Sequence, residues 1–174
     1  CEVGIDDWWQ FVYENKHDEW REIGLDVPTE AMQFSGFWSQ GDGASFYECA
    51  IDWEKFWPQL KADYPLLERY KADLPQPKLY SRGNYCHEYS VGIELYSVDW
   101  IDEELQAKGE DPKVIDNEWN ALAEGLASTL REKMRDLYAA LEEEYDYLTS
   151  DDLLREMFTD ERYLFEADGT IHYV

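Results

Sequence analysis

The chain has 174 residues, 44% hydrophobic and 16% aromatic, and its 40 Asp and Glu against 15 Lys and Arg set a formal net charge of −25. This aromatic content excludes a disordered acidic tail, and the length suits a single domain over residues 1–174 with a substantial core. The charge opposes direct binding to nucleic acid or anionic membrane, and no apolar run reaches bilayer-spanning length.

Asp6 to Ile23 reads as an amphipathic helix, with Trp8/Trp9, Val12/Tyr13, Trp20 and Ile23 on one stripe and Gly24 placed to end it. His17, among charged neighbours, reads as a solvated surface residue. A hairpin follows, with strands near 32–38 and 44–51 and a Gly41-Asp42-Gly43 turn in which both glycines take positive φ. With aromatics on both faces, this hairpin is expected inside the sheet. The loop Ser39-Gln40-Gly41-Asp42-Gly43 also suits presentation of Gln or Asp to a ligand, but a plain turn is the simpler reading. Asp52 is placed to cap a short helix holding Trp53, Phe56 and Trp57, which Pro58 ends or bends. Leu66 to Asp73 is a second short helical stretch. Leu79–Arg82 and Tyr85–Ser97 read as strands, giving four central strands in an antiparallel sheet.

Three cysteines (Cys1, Cys49, Cys86) lack metal-type spacing and fit reduced thiols in a cytosol. Cys86-His87-Glu88 resembles a metal or nucleophile cluster in composition only. Adjacent strand residues point to opposite faces, which separates the thiol from the imidazole. No cofactor or metal site and no catalytic constellation emerges, so a non-enzymatic protein is expected.

The clearest prediction is a long helix. Apolar residues at 115, 119, 122, 126, 130, 134, 137, 141, 145 and 148 span 33 residues in nine steps, or 3.67 per step, close to the period of a straight helix. Gly125 within it is expected to mark a close approach to the sheet. Acids lie mostly off this stripe, interrupted by Arg131, Lys133 and Arg135. Ser150 with Asp151 and Asp152 starts another short helix through Phe158, and Tyr163 to Tyr173 is a closing hairpin in which His172 is a strand-surface residue. The fold class is therefore α+β: a mainly antiparallel sheet packed on the long C-terminal helix, with the N-terminal helix beside it.

Three blocks carry a resemblance. Phe34-Ser35-Gly36-Phe37-Trp38-Ser39-Gln40-Gly41-Asp42-Gly43-Ala44-Ser45-Phe46, Tyr145-Asp146-Tyr147-Leu148-Thr149-Ser150-Asp151-Asp152 and Phe165-Glu166-Ala167-Asp168-Gly169 stand in an order that resembles small acidic proteins of tailed phages and prophages. The likeness covers nearly the whole chain. Members of that family are often labelled uncharacterised, or antitoxin of a toxin–antitoxin stability system, and the resemblance implies no catalytic residues.

Charge supplies the functional expectation. Residues 1–60 hold 13 acids and 3 bases, 61–100 hold 6 and 5, and 101–174 hold 21 and 7. Acidic ends around a near-neutral middle favour a basic protein partner, although solubility alone is the plainer explanation. With the phage resemblance, the leading expectation is an inhibitor of a host defence system, of the anti-CRISPR or anti-restriction type, acting in the bacterial cytoplasm as a nucleic-acid mimic. Its partner would be a basic, nucleic-acid-binding defence effector. The alternatives are an antitoxin for a basic toxin and a non-enzymatic phage accessory protein. The carboxylates assigned to the contact are Glu132, Asp136, Glu142, Glu143, Glu144, Asp146, Asp151 and Asp152. A sponge for cyclic nucleotides is disfavoured, because basic residues are few.

Overall fold

The computed structural model describes residues 7–83, 85–153, 155, 164–165 and 171–172. It divides into two compact units, Cys1–Tyr138 and Ala139–Val174. The architecture is α+β, with small antiparallel ladders, an N-terminal helix and a long C-terminal helix.

In the first unit, α1 (Trp8–Glu22) buries Val12, Tyr13 and Trp20 along one stripe. Gly24 ends it at a φ of 87°, and a Cβ there would stand 2.7 Å from the Asp52 carbonyl oxygen. Four short strands follow: β1 (Leu25–Asp26), β2 (Met32–Ser35), β3 (Gly43–Phe46) and β4 (Ala50–Ile51). β2 pairs with β3, and β1 pairs with β4, so the segment expected as one strand over 44–51 serves two ladders. His17 is not a solvated residue. It is half-buried, and its Nδ1 donates to the Val27 carbonyl at 2.8 Å, fastening α1 to the loop after β1.

Asp52 caps α2 (Trp53–Phe56) as expected, and Pro58 sits in a 3-10 turn over Trp57–Gln59. Beyond it, Gln76 acts as a substitute strand for β4. Its amide oxygen accepts from the Ile51 N–H at 2.6 Å and its amide nitrogen donates to the Ile51 carbonyl at 2.9 Å.

The expected central sheet is not continuous. β5 (Lys78–Ser81) pairs with β6 (Val91–Glu94) in its own two-stranded antiparallel ladder, separate from β2–β3. The strand predicted over 85–97 shrinks to β6 because Glu88–Ser90 is a 3-10 turn whose Ser90 N–H returns to the His87 carbonyl at 2.8 Å. A group bonded locally is lost to a ladder. α3 (Asp99–Ala107), which is not among the predicted elements, buries Ile101 and Leu105 one turn apart.

α4 (Pro112–Leu148) has 37 residues and is about 55 Å long at about 1.5 Å per residue. Its predicted stripe is buried at Ile115, Trp119, Leu122, Leu126, Leu130, Met134, Leu137 and Leu141. Gly125 does mark a close approach, but of Tyr64 rather than of a strand. An added Cβ would lie 2.1 Å from the Tyr64 hydroxyl, which reaches the Ala121 carbonyl at 3.4 Å. Nearby, one Glu118 oxygen accepts from the Leu66 and Leu67 N–H groups at 2.7 and 2.9 Å.

In the second unit, α4 ends with Thr149 N–H and Oγ1 both donating to the Tyr145 carbonyl. Ser150 Oγ accepts from Leu153 N–H at 3.3 Å, so Ser150 starts the next helical segment, as expected. β7 (Leu164–Phe165) and β8 (Ile171–His172) pair antiparallel, the predicted closing hairpin. Its turn, the end of the helix toward Phe158 and the His172 side chain lie outside the described residues.

Two substitutions test this packing. Gly125→Ala removes a helix-interior glycine, a gain of about 1 kcal/mol from propensity, but drives a methyl into the Tyr64 hydroxyl at an overpacking cost of about 1–3 kcal/mol. Urea unfolding should therefore show Gly125→Ala destabilised, and Tyr64→Phe/Gly125→Ala more stable than Tyr64→Phe alone. Glu118→Ala strands two part-buried N–H groups and should cost about 2 kcal/mol in the same measurement, with Glu118→Gln costing less.

A candidate partner-binding surface

The eight carboxylates assigned from sequence fall into two groups. Glu132 and Asp136 belong to the first unit and are matched by cations there. Lys61 Nζ sits 2.6 Å from Glu132, and this hydrogen bond holds the Glu132 carboxyl below its usual range. Asp136 lies 3.9 Å from Lys133 Nζ.

Glu142, Glu143, Glu144 and Asp146 occupy the last turns of α4, and Asp151 and Asp152 follow Ser150. Glu143, Asp146, Asp151 and Asp152 are exposed, while Glu142 and Glu144 are half-buried. None of these six has an ion-pair partner among the described residues. Glu142 and Asp146 stand four residues apart, a spacing at which like charges destabilise a helix. Among the described residues, no cation offsets that repulsion. Chemically, it is a rigid array of hydrogen-bond acceptors suited to lysine and arginine side chains.

Sequence reasoning missed two carboxylates with internal roles. Glu118 holds the 66–67 backbone, as described above. Glu88 is buried, with Oε2 3.0 Å from His87 Nδ1 and Oε1 3.5 Å from Arg135. Glu118 lies beside the stripe residue Trp119, which hinted at its position. Glu88 carried no such signal, because a strand was expected there.

The hairpin motif corrects one expectation. The β2–β3 register closes at Ser35 opposite Gly43, so the loop is residues 36–42 and not a two- or three-residue turn. Asp42 does close it: its Oδ2 accepts from Ser39 N–H at 2.6 Å, and its own N–H donates to the Ser39 carbonyl at 3.1 Å. Gly41 has a φ of 96°, as expected, but Gly43 has no positive φ and lies in β3. Its glycine is required by close approach instead, since a Cβ would stand 2.9 Å from His87 Cα. The strand also stops short at Gly36, and Trp38 takes a φ of 71°. Phe34 and Phe37, placed on opposite faces by strict alternation, therefore lie together with centroids 5.9 Å apart, each against Trp8. Burial pushes the Cys86 thiol up, and burial with the nearby Glu48 charge pushes Cys49 up to about 12, so neither is an activated nucleophile.

Fold and surface together define an acidic α+β protein built on one long helix. Residues 8–151 match a family described as a domain of unknown function, DUF8835, and the chain belongs to it. No curated protein and no solved structure matches it.

Close approach as the reason for glycine at 43 can be tested against Gly36, which has neither a tight neighbour nor a positive φ. Gly43→Ala should lower the melting temperature by several degrees, at roughly 1–3 kcal/mol for overpacking in a small domain. Gly36→Ala should leave it unchanged, because Gly36 has no positive φ and its nearest neighbour is an Asp42 oxygen at 3.8 Å.

Proposed function

We propose that the protein is a phage-encoded, non-enzymatic inhibitor of a host defence system that occupies a basic nucleic-acid-binding surface in the bacterial cytoplasm. The observation that supports this reading is the set of carboxylates at 142–144, 146, 151 and 152 with no ion-pair partner among the described residues. Neighbouring positions one helical turn apart are about 5–6 Å apart, a charge spacing not far from that of a nucleic-acid backbone. Such carboxylates match a groove built to hold phosphates, and the net charge of −25 accelerates encounter with it. The phage resemblance of the three sequence blocks supplies the biological setting, since a phage gains from disabling basic nucleic-acid-binding effectors.

Binding to such an effector should weaken steeply as salt rises, and DNA or RNA should compete for the same surface. The triple change Glu142→Lys, Glu143→Lys and Glu144→Lys should abolish most of the binding while leaving the melting temperature within a few degrees. In cells, the protein should raise plaque formation on defence-positive hosts and change nothing on defence-negative ones. Rescue of growth from one cognate toxin, with no effect on infection, would instead identify an antitoxin. Binding that tolerates high salt and leaves nucleic-acid occupancy untouched would overturn the mimicry.

A further inference from the structure

The β5–β6 ladder has an open edge along β5. Bonded and non-bonded pairs alternate along an antiparallel ladder, and the Arg82 N–H donates to the Ser90 carbonyl at 2.6 Å. The bonded positions of β5 are therefore Lys78, Tyr80 and Arg82, and the N–H and carbonyl groups of Leu79 and Ser81 point away from β6. Among the described residues, nothing hydrogen-bonds to those outward backbone groups. Lys78 and Ser81 are exposed and Leu79 and Tyr80 half-buried, whereas β6 is buried at Val91 and Gly92. Unpaired donors and acceptors along an exposed strand are a template for another strand.

The side chains beside this edge are already satisfied. Gly92 leaves room for the Tyr80 ring to lie across β6, where a Cβ would collide with it. The Tyr80 hydroxyl donates to Glu94 at 2.7 Å and accepts from Arg82 at 2.9 Å, and the exposed Tyr96 hydroxyl donates to the other Glu94 oxygen. A lysine on an edge strand discourages pairing, but Lys78 stands opposite Glu94 in the register.

Charge decides what fits there. Lys78 and Arg82 balance Glu88 and Glu94, so residues 74–98 carry no formal net charge in a chain of −25. Residues 1–60 hold 13 acids against 3 bases, and 101–174 hold 21 against 7. A second copy meeting either acidic end sets like charge against like, and at β5 it does not. A basic partner is drawn to the ends instead.

We infer that β5 is a self-association edge: two copies pair β5 with β5, antiparallel about a two-fold axis, joining two two-stranded ladders into one sheet. Two-fold symmetry matches the edge to itself, so one strand supplies both halves of the contact. Leu79 and Ser81 gain the backbone partners they lack, and a two-stranded ladder, marginal alone, gains further strands. The contact is short, so the dimer is weak and its population follows concentration. It does not use the carboxylates at 142–152 and holds whether or not they meet a defence effector.

Sedimentation velocity of the purified chain from about 10 µM to about 1 mM, in about 0.05 M and about 0.5 M salt, tests this. A monomer–dimer equilibrium should appear, with more dimer at high salt, because screening relieves the repulsion between two chains of −25. Ser81→Pro removes an outward N–H without breaking a ladder bond. It should keep the melting temperature of the monomer within a few degrees and weaken the dimer about tenfold. Ser81→Glu, which keeps the backbone donor and adds like charge beside the two-fold axis, should weaken the dimer most at low salt. By hydrogen exchange, the Leu79 and Ser81 amides should be unprotected in dilute monomer and gain protection with concentration, while Tyr80 and Arg82 stay protected throughout. The triple change Glu142→Lys, Glu143→Lys and Glu144→Lys, which removes effector binding, should leave the dimer intact. A chain still monomeric at about 1 mM in both salts, a dimer that dissolves as salt rises, or a dimer unchanged in both Ser81→Pro and Ser81→Glu would each overturn the assignment.

Discussion

The apolar stripe of α4 is the surface that the rest of residues 7–138 is arranged to cover. A helix of 37 residues cannot bury one face against two-stranded ladders alone, because each offers only a few side chains. Other segments complete the cover, and each is fastened by a specific contact. The 61–67 segment holds the helix through Lys61 to Glu132, Tyr64 over Gly125 and the backbone at 66–67 on Glu118. Trp119 donates its indole N–H to Asp102 of α3 at 2.7 Å. Further along, Tyr89 lies under Arg131, Glu88 meets Arg135, and the Tyr138 hydroxyl donates to the Gly36 carbonyl at 3.3 Å. Polar atoms at the edge of the stripe thus set the register, while leucines supply the driving force.

This division of labour decides what was legible in the sequence. A periodic apolar stripe is a repeated local signal, so α4, α1 and their ends at Leu148 and Gly24 could be read directly. Asp52 and Ser150 as helix starts, and the antiparallel pairing of β2 with β3, follow from residues close to each other in the chain. Several of the errors are contacts with distant residues. His17 needed Val27, Gly43 needed His87, Gly125 needed Tyr64, and Glu88 needed Arg135. None of these partners is marked by spacing or propensity. The strand over 85–97 failed for a local reason: alternation at Tyr89, Val91, Ile93 and Leu95 is satisfied equally by a 3-10 turn that leaves Tyr89 exposed before β6 begins. Of the candidate surface, composition revealed that acids dominate the last turns of α4. It did not reveal that Glu132 and Asp136 are already matched by lysines.

Counting charges sharpens what the unpaired groups mean. With 40 acids and 15 bases, most carboxylates must lack a cation whatever the fold does. An unpaired carboxylate is the rule in this protein, and its information lies in placement. Side by side on the rigid turns of α4, where like charges repel, Glu142 to Glu144 and Asp146 keep a geometry that a folded partner can match without ordering a flexible tail.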